Sequence, residues 1–290
     1  MMTEHRDGDL RILLVQMAPW LCAGMGHDQR EANLEHGAAL VRRRLADLGQ
    51  AEQVVDLVVF PEFAFDGPAS ALADPETTIA GSSERILEAM SGLAAEVRAT
   101  VIAPAYSVGP ERWHNTCFAV GPDGARSEGY EKIHTYPPEQ RVVARGRRLV
   151  TVDVRGFSVG LQICYDLAFP EPARCLRLLG ADVLVYPTMA PQWLMNRFKV
   201  LAAARAIENQ VFVAVVNAVG VHPTSGDTLG GGSVVAYPDG HRLALGADED
   251  VGLVVLEYQD LTRVRAELDI LADRVPEAYA GLFPGAASAS

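Results

Sequence analysis

Lysine is almost missing from this chain: of 25 basic residues in 290, only Lys132 and Lys199 are lysines. A GC-rich genome accounts for such a bias in bulk, but not for what a retained lysine does. An amine offers a compact point charge whose pKa moves on burial, whereas a guanidinium is planar and effectively always charged. Positive charge is scarce altogether. With 37 acidic residues the formal net charge is −12, which excludes nucleic acid or an anionic membrane as the main partner, since both need a basic face. The cationic runs at 42–44 and 145–148 are short and isolated. No apolar run approaches the roughly 20 residues that cross a bilayer, and the polar N-terminus lacks a signal-peptide core. The four cysteines, Cys22, Cys117, Cys164 and Cys175, show neither C-x-x-C spacing nor a disulfide framework. The expectation is a reduced, cytoplasmic protein.

Further absences narrow the chemistry. No G-x-S-x-G elbow is present for a serine hydrolase. No phosphate loop is present either: the glycines of Leu229-Gly-Gly-Gly-Ser233 come without its lysine. His114 and Cys117 have metal-like spacing but no second pair, so the segment reads as an incidental strand. No metal or organic cofactor is called for.

What is there is an ordinary globular composition, 49% hydrophobic and 21% charged, with strands and helices alternating almost throughout. Strands are expected at 11–18, 57–60, 100–106, 113–120, 125–132, 149–154, 157–163, 182–186, 211–217 and 251–258. Helices are expected at 31–48, from Ser82 or Ser83 as cap to 98, at 171–179 and at 193–209. Turns with Pro-Asp-Gly fall at 121–124 and 238–240. No linker or repeat divides the pattern, so we expect a flexible segment 1–10, one α/β domain with mixed sheets over 11–283, and a frayed end at 284–290.

Three polar residues follow apolar strands, where open α/β sheets gather their active groups. Glu62 ends Leu57-Val-Val-Phe-Pro-Glu62, Lys132 closes Gly129-Tyr-Glu-Lys132, and Cys164 follows Val159-Gly-Leu-Gln-Ile163. Alone, each is weak. A strand-end cysteine is usually a small buried hydrophobe, a strand-end glutamate a cap or a solvated charge, and a lone lysine a surface residue.

Together the segments Leu57-Val-Val-Phe-Pro-Glu62, Tyr130-Glu-Lys132-Ile-His134 and Leu161-Gln-Ile-Cys164-Tyr-Asp-Leu-Ala-Phe-Pro-Glu171 resemble the three signature segments of the nitrilase superfamily of carbon–nitrogen hydrolases, with spacings of 70 and then 32 residues. The resemblance runs from Val15-Gln16 and Asn33-Leu34 through Gly180-Ala-Asp-Val-Leu184, Ala204-Arg-Ala-Ile-Glu-Asn-Gln210, Asn217 and Gly232-Ser233 to Asp273-Arg-Val-Pro-Glu-Ala-Tyr279. It implies a four-layer α-β-β-α sandwich with two mixed sheets, forming a homodimer or higher homo-oligomer through helices. It implies a Cys164 nucleophile with Glu62 as general base and Lys132 beside the oxyanion, shared with the backbone N–H of Tyr165. Many members carry a second glutamate after the lysine. Glu139 is the candidate here, against the reading of a solvated loop carboxylate. His134 is expected to hydrogen-bond structurally. Met189, Tyr136, Trp193 and Asn196 are candidate pocket residues, although an aromatic opening a helix is more often packing.

Ala168 stands where members of the Cys-Tyr-Asp type often have arginine, which puts in doubt a substrate whose carboxylate would be read there. The stretch 136–149 has no clear match. The expected activity is hydrolysis of a small-molecule amide or N-carbamoyl compound through a cysteine thioester. The alternatives are nitrile hydrolysis, less favoured because Tyr165-Asp166 follows Cys164 where nitrilases usually have Trp-Glu, and a silent binding protein of the same fold.

Overall fold

The computed structural model describes residues 8–19, 27–49, 55–72, 74–109 and 112–282. Cys22, residues 1–7 of the expected flexible segment and the expected frayed end at 284–290 lie outside them. The first half of the chain gives β1 (Asp9–Gln16), α1 (His27–Asp47), β2 (Leu57–Val59), α2 (Pro75–Ile79), α3 (Ser82–Val97), β3 (Thr100–Val108), β4 (Trp113–Val120), β5 (Tyr130–Glu131) and β6 (Val143–Ala144). The second half gives β7 (Val150–Val154), β8 (Phe157–Leu161), α4 (Pro170–Leu178), β9 (Val183–Thr188), α5 (Gln192–Asn209), β10 (Phe212–Asn217), β11 (Val219–Val221), β12 (Thr228–Gly230), β13 (Val234–Ala236), β14 (Arg242–Ala244), β15 (Asp250–Glu257) and α6 (Tyr258–Glu267).

One sheet has the order β15-β1-β2-β3-β4-β5 with β6 beside β4, and the other β14-β13-β10-β9-β8-β7. Each has a parallel centre, β1-β2-β3 and β8-β9-β10, flanked by antiparallel strands. The period of two along a strand explains the layering. Leu10, Ile12 and Leu14 of β1 enter the core between the sheets, while Leu13 and Val15 enter the core beneath α1 and α3 with Leu34, Val41, Ile86 and Met90. On the other side, β9 and β10 are apolar at nearly every position because α4 and α5 cover their outer face with Leu176, Phe198, Ala202 and Ala206. The result is the α-β-β-α sandwich that the resemblance implied.

Three local expectations change. Asp9 and Leu10 belong to β1, paired with Glu257 and Leu256, rather than to a loose N-terminal segment. Neither serine caps α3: the cap position is Gly81 at φ 75°, and the Ser83 hydroxyl donates to the Tyr106 carbonyl instead. The strand expected over 125–132 shrinks to β5, because the turn closed by Gly124 N–H on the Gly121 carbonyl leaves only a bridge at Arg126 before Tyr130 and Glu131 regain pairing with β4.

Candidate active site

Glu62 leaves the end of β2 on a short turn and is 2% exposed. Phe63 follows at φ 59°, a strained value for a bulky residue, of the kind that concentrates at functional sites. The Glu62 carboxylate is fully engaged. Its Oε1 accepts from Asn115 Nδ2 at 2.8 Å and Lys132 Nζ at 2.7 Å, and its Oε2 from the Met189 N–H at 3.2 Å. Since Glu62 belongs to one sheet and Met189 to the end of β9 in the other, these bonds close one end of the sandwich.

Lys132 is 1% exposed and stands just after β5. Its ammonium bonds the carboxylates of Glu62 and Glu139, each at 2.7 Å. Burial favours the neutral amine, but the two carboxylates outweigh it and hold the pKa above its usual value. Glu139 arrives on a single 3-10 turn, Pro137–Arg141, whose two leading prolines suit a helical start, and its Oε1 also accepts the Tyr136 N–H at 2.9 Å. Burial raises the Glu139 pKa, with Lys132 opposing.

Cys164 opens a 3-10 turn, Cys164–Ala168, between β8 and α4, at φ 46° and 7% exposed. The first amides of such a turn, those of Cys164 and Tyr165, have no acceptor within it. The thiol interacts with the Glu62 carboxylate and with the Met189 N–H; burial, then Glu62, push its pKa well above normal, so it rests protonated. Asp166, completely buried, holds the turn. Its Oδ2 accepts from Tyr130 Oη at 2.8 Å and Ile163 N–H at 3.0 Å, and its Oδ1 from the N–H and Nδ1 of His134, both at 2.9 Å. His134 stacks on Phe169 at 3.7 Å. The segment carrying the lysine is thus bolted to the segment carrying the cysteine.

A cavity of about 210 Å³ opens above these groups, with Cys164, Tyr165, Glu139 and Met189 in its lining. Phe63, Leu194, Tyr136 and Trp193 add apolar walls, and Ser70, His222, Ser225 and Asp227 add polar ones. The structure therefore brings together Glu62, Lys132, Cys164 and Glu139, and places Tyr136, Met189 and Trp193 at the cavity. Asn196 is a correction. One turn further along α5 the helix has left the cavity, and Asn196 is exposed and outside its lining. The sequence reading missed Asn115, which sits in the strand read as incidental, and Asp166, which had served only as a family marker. It also missed the loop 222–227, whose Pro-Thr-Ser-Gly composition announces a turn and nothing about a pocket.

Among the described residues, no group of three or more His, Cys, Asp or Glu side chains could hold a metal ion, and no helix is long and apolar enough to cross a membrane.

Residues 11–266 match the family model described as carbon-nitrogen hydrolase. The chain is 34% identical over 225 residues to an (R)-stereoselective amidase of Pseudomonas sp, covering 76% of this chain and 79% of that one. It is 30% identical over 251 residues to a 2-oxoglutaramate amidase of Paenarthrobacter nicotinovorans, covering 82% and 84%. The fold superposes on the crystal structure of a carbon-nitrogen hydrolase from Helicobacter pylori with a TM-score of 0.84 at 21% identity, over 95% of this chain and 98% of that one.

Proposed function

The chain belongs to the carbon–nitrogen hydrolase family, in the amidase-like branch of the nitrilase superfamily, and on that premise we propose that it hydrolyses the C–N bond of a small amide or N-carbamoyl compound through a thioester on Cys164. The observation that carries the reading is the doubly bonded Lys132. An ammonium has three protons, and Glu62 and Glu139 engage two of them at 2.7 Å each. The third is left for a substrate oxygen in the cavity.

In the proposed cycle the Cys164 sulfur attacks the carbonyl carbon while its proton passes to Glu62, which the resting protonated thiol requires. The oxyanion is held by Lys132 and by the N–H of Tyr165. Collapse breaks the C–N bond, Glu62 returns the proton to nitrogen, and ammonia or an amine departs. Water then attacks the thioester with its proton going to Glu62. Collapse of the second tetrahedral adduct breaks the C–S bond and the sulfur recovers its proton. Glu139 keeps Lys132 charged and in place, and Asp166 positions the nucleophile's turn without touching substrate.

A nucleophile of this kind must remain a free thiol, which suits a reducing, cytoplasmic setting; among the described cysteines Cys117, Cys164 and Cys175 are free. Exposed Leu178, Leu179 and Val200 on and beside α4 and α5 support assembly into a homodimer or higher homo-oligomer through these helices.

The test is ammonia release over a panel of aliphatic amides, N-carbamoyl amino acids and nitriles. We expect turnover of amides, and a loss of roughly ten thousandfold or more in Cys164→Ala at unchanged fold and oligomer size. A variant keeping a tenth of the activity sinks the thioester route, and a preference for nitriles moves the assignment to nitrile hydrolysis.

A further inference from the structure

The charges around the cavity are one-sided. Of the two carboxylates that flank the Lys132 ammonium, Glu139 lines the cavity and Glu62 is buried behind the lining, and both ion pairs are already made. At its mouth the loop joining β11 to β12 contributes Asp227 to the lining, and among the described residues the Asp227 carboxylate makes no ion pair. Neither arginine nor lysine is among the described residues lining the cavity. Arg197 is nearby, but its guanidinium stacks over the Trp193 ring at 5.5 Å and stays outside that lining.

His222 is the remaining candidate for a positive charge, and its surroundings withhold one. Its Nδ1 lies 3.3 Å from the Thr224 N–H and 3.4 Å from the Ser225 N–H, both donors, so this nitrogen accepts and a neutral ring carries its proton on Nε2. Burial holds the His222 pKa below its usual value against the pull of Glu62 and Asp227. The ring thus brings no positive charge to the cavity lining. A carboxylate at the far end of an entering amide would be stripped of water with no cation to receive it, since Lys132 is taken up by its two glutamates and by the amide oxygen, and it would face the carboxylate of Asp227. An entering amine would meet Asp227.

We propose that this cavity takes amides whose far end is uncharged or carries an amine, and rejects those that end in a carboxylate. The inference deepens the amide-hydrolase reading of the same site and rests on it.

Three amides of matched length test it: pentanamide, 4-aminobutanamide and glutaramate. With the wild-type protein we expect kcat/KM for glutaramate about tenfold or more below pentanamide, the scale at which opposed like charges discriminate. We expect 4-aminobutanamide at or above pentanamide. Asp227→Asn should lower the ratio of 4-aminobutanamide to pentanamide by about threefold, the modest weight of a solvent-exposed carboxylate. Calorimetric binding of the same amides to Cys164→Ala should give the same order without turnover. Glutaramate equal to or better than pentanamide overturns the proposal, as does an amine ratio unmoved by Asp227→Asn. Silence of the wild type toward all three with the binding order intact overturns the hydrolase reading instead, and leaves the charge selection standing.

Discussion

The floor and the mouth of the cavity are built on opposite terms. Behind the floor that Cys164 and Glu139 line, Glu62 and Lys132 are at most 2% exposed and hydrogen-bonded to groups from both sheets. At the mouth, Trp193 is 53% exposed and Tyr136 44%, and the bonds of the 222–227 loop are made within the loop itself. Burial makes the floor expensive to alter, because an ion deprived of its partner cannot turn to water. The mouth can change residue by residue at little cost. Chemistry is held where substitution is punished, and selection where it is tolerated.

Lys132→Met is the hardest test of that contrast. It leaves two carboxylates buried around an apolar side chain, so stability should fall by about 3 kcal/mol or more. The loss of an oxyanion donor should lower kcat by roughly 100- to 1,000-fold. Urea unfolding and steady-state kinetics read the two effects separately. A destabilised protein with unimpaired kcat would make the lysine purely structural and break the proposed mechanism.

Asp166→Asn comes next. Asp166 accepts from four donors, and an amide can accept at only one of its two positions, so the turn bearing Cys164 should shift. A displacement of about 1 Å costs up to roughly a hundredfold. The expected signature is a fall in kcat with little change in KM, and iodoacetamide labelling of Cys164 that persists but slows. An effect confined to KM would place Asp166 in substrate binding.

Glu139→Gln should cost about tenfold in kcat, the low end for a residue acting through a neighbour, and its pH dependence is the informative part. The folded-state pKa of Glu139 is raised, by burial first. The folded protein therefore holds this proton more tightly than the unfolded chain. Stability from this group is fully present below the ordinary carboxylate pKa and is lost as pH rises through the raised value. Thermal scans across the acid range should show the wild type losing stability with rising pH relative to Glu139→Gln. The acid limb of kcat should also move, since protonation of Glu139 removes a charge that holds Lys132. Superimposable stability differences at every pH would show that Glu139 does not titrate above the ordinary carboxylate range.

These residues also mark how far the sequence could be read. Glu62, Lys132 and Cys164 stood out only together, because their three segments resemble those of one family; taken singly, a strand-end carboxylate, lysine or cysteine reads as a cap, a surface charge or packing. Strand patterning made an α/β domain with mixed sheets legible, with nearly continuous apolar runs where two faces are covered, whereas the four layers came from the resemblance alone. Glu139 was only a candidate from the resemblance, because its burial depends on a 3-10 turn started by Pro137 and Pro138, and neither proline says what the turn packs against. Asn115 was invisible: an asparagine in a strand looks the same whether it faces solvent or a buried carboxylate. Asn196 differs for the opposite reason: a segment that supplies pocket walls does so only in part, and of α5 only Trp193 and Leu194 reach the lining.

Trp193→Ala sharpens the comparison from its weak side. The ring is half exposed and opens α5 at the cavity's rim, so its removal should shift stability by no more than about 0.5 kcal/mol. It contributes wall rather than charge, and a substrate that loses part of an apolar contact loses roughly 1 kcal/mol of binding shared by ground and transition states. KM should rise about fivefold with kcat unchanged. Were kcat instead to fall as far as in Asp166→Asn, the rim would be part of the reacting geometry, and the division between a fixed floor and an adjustable mouth would not hold.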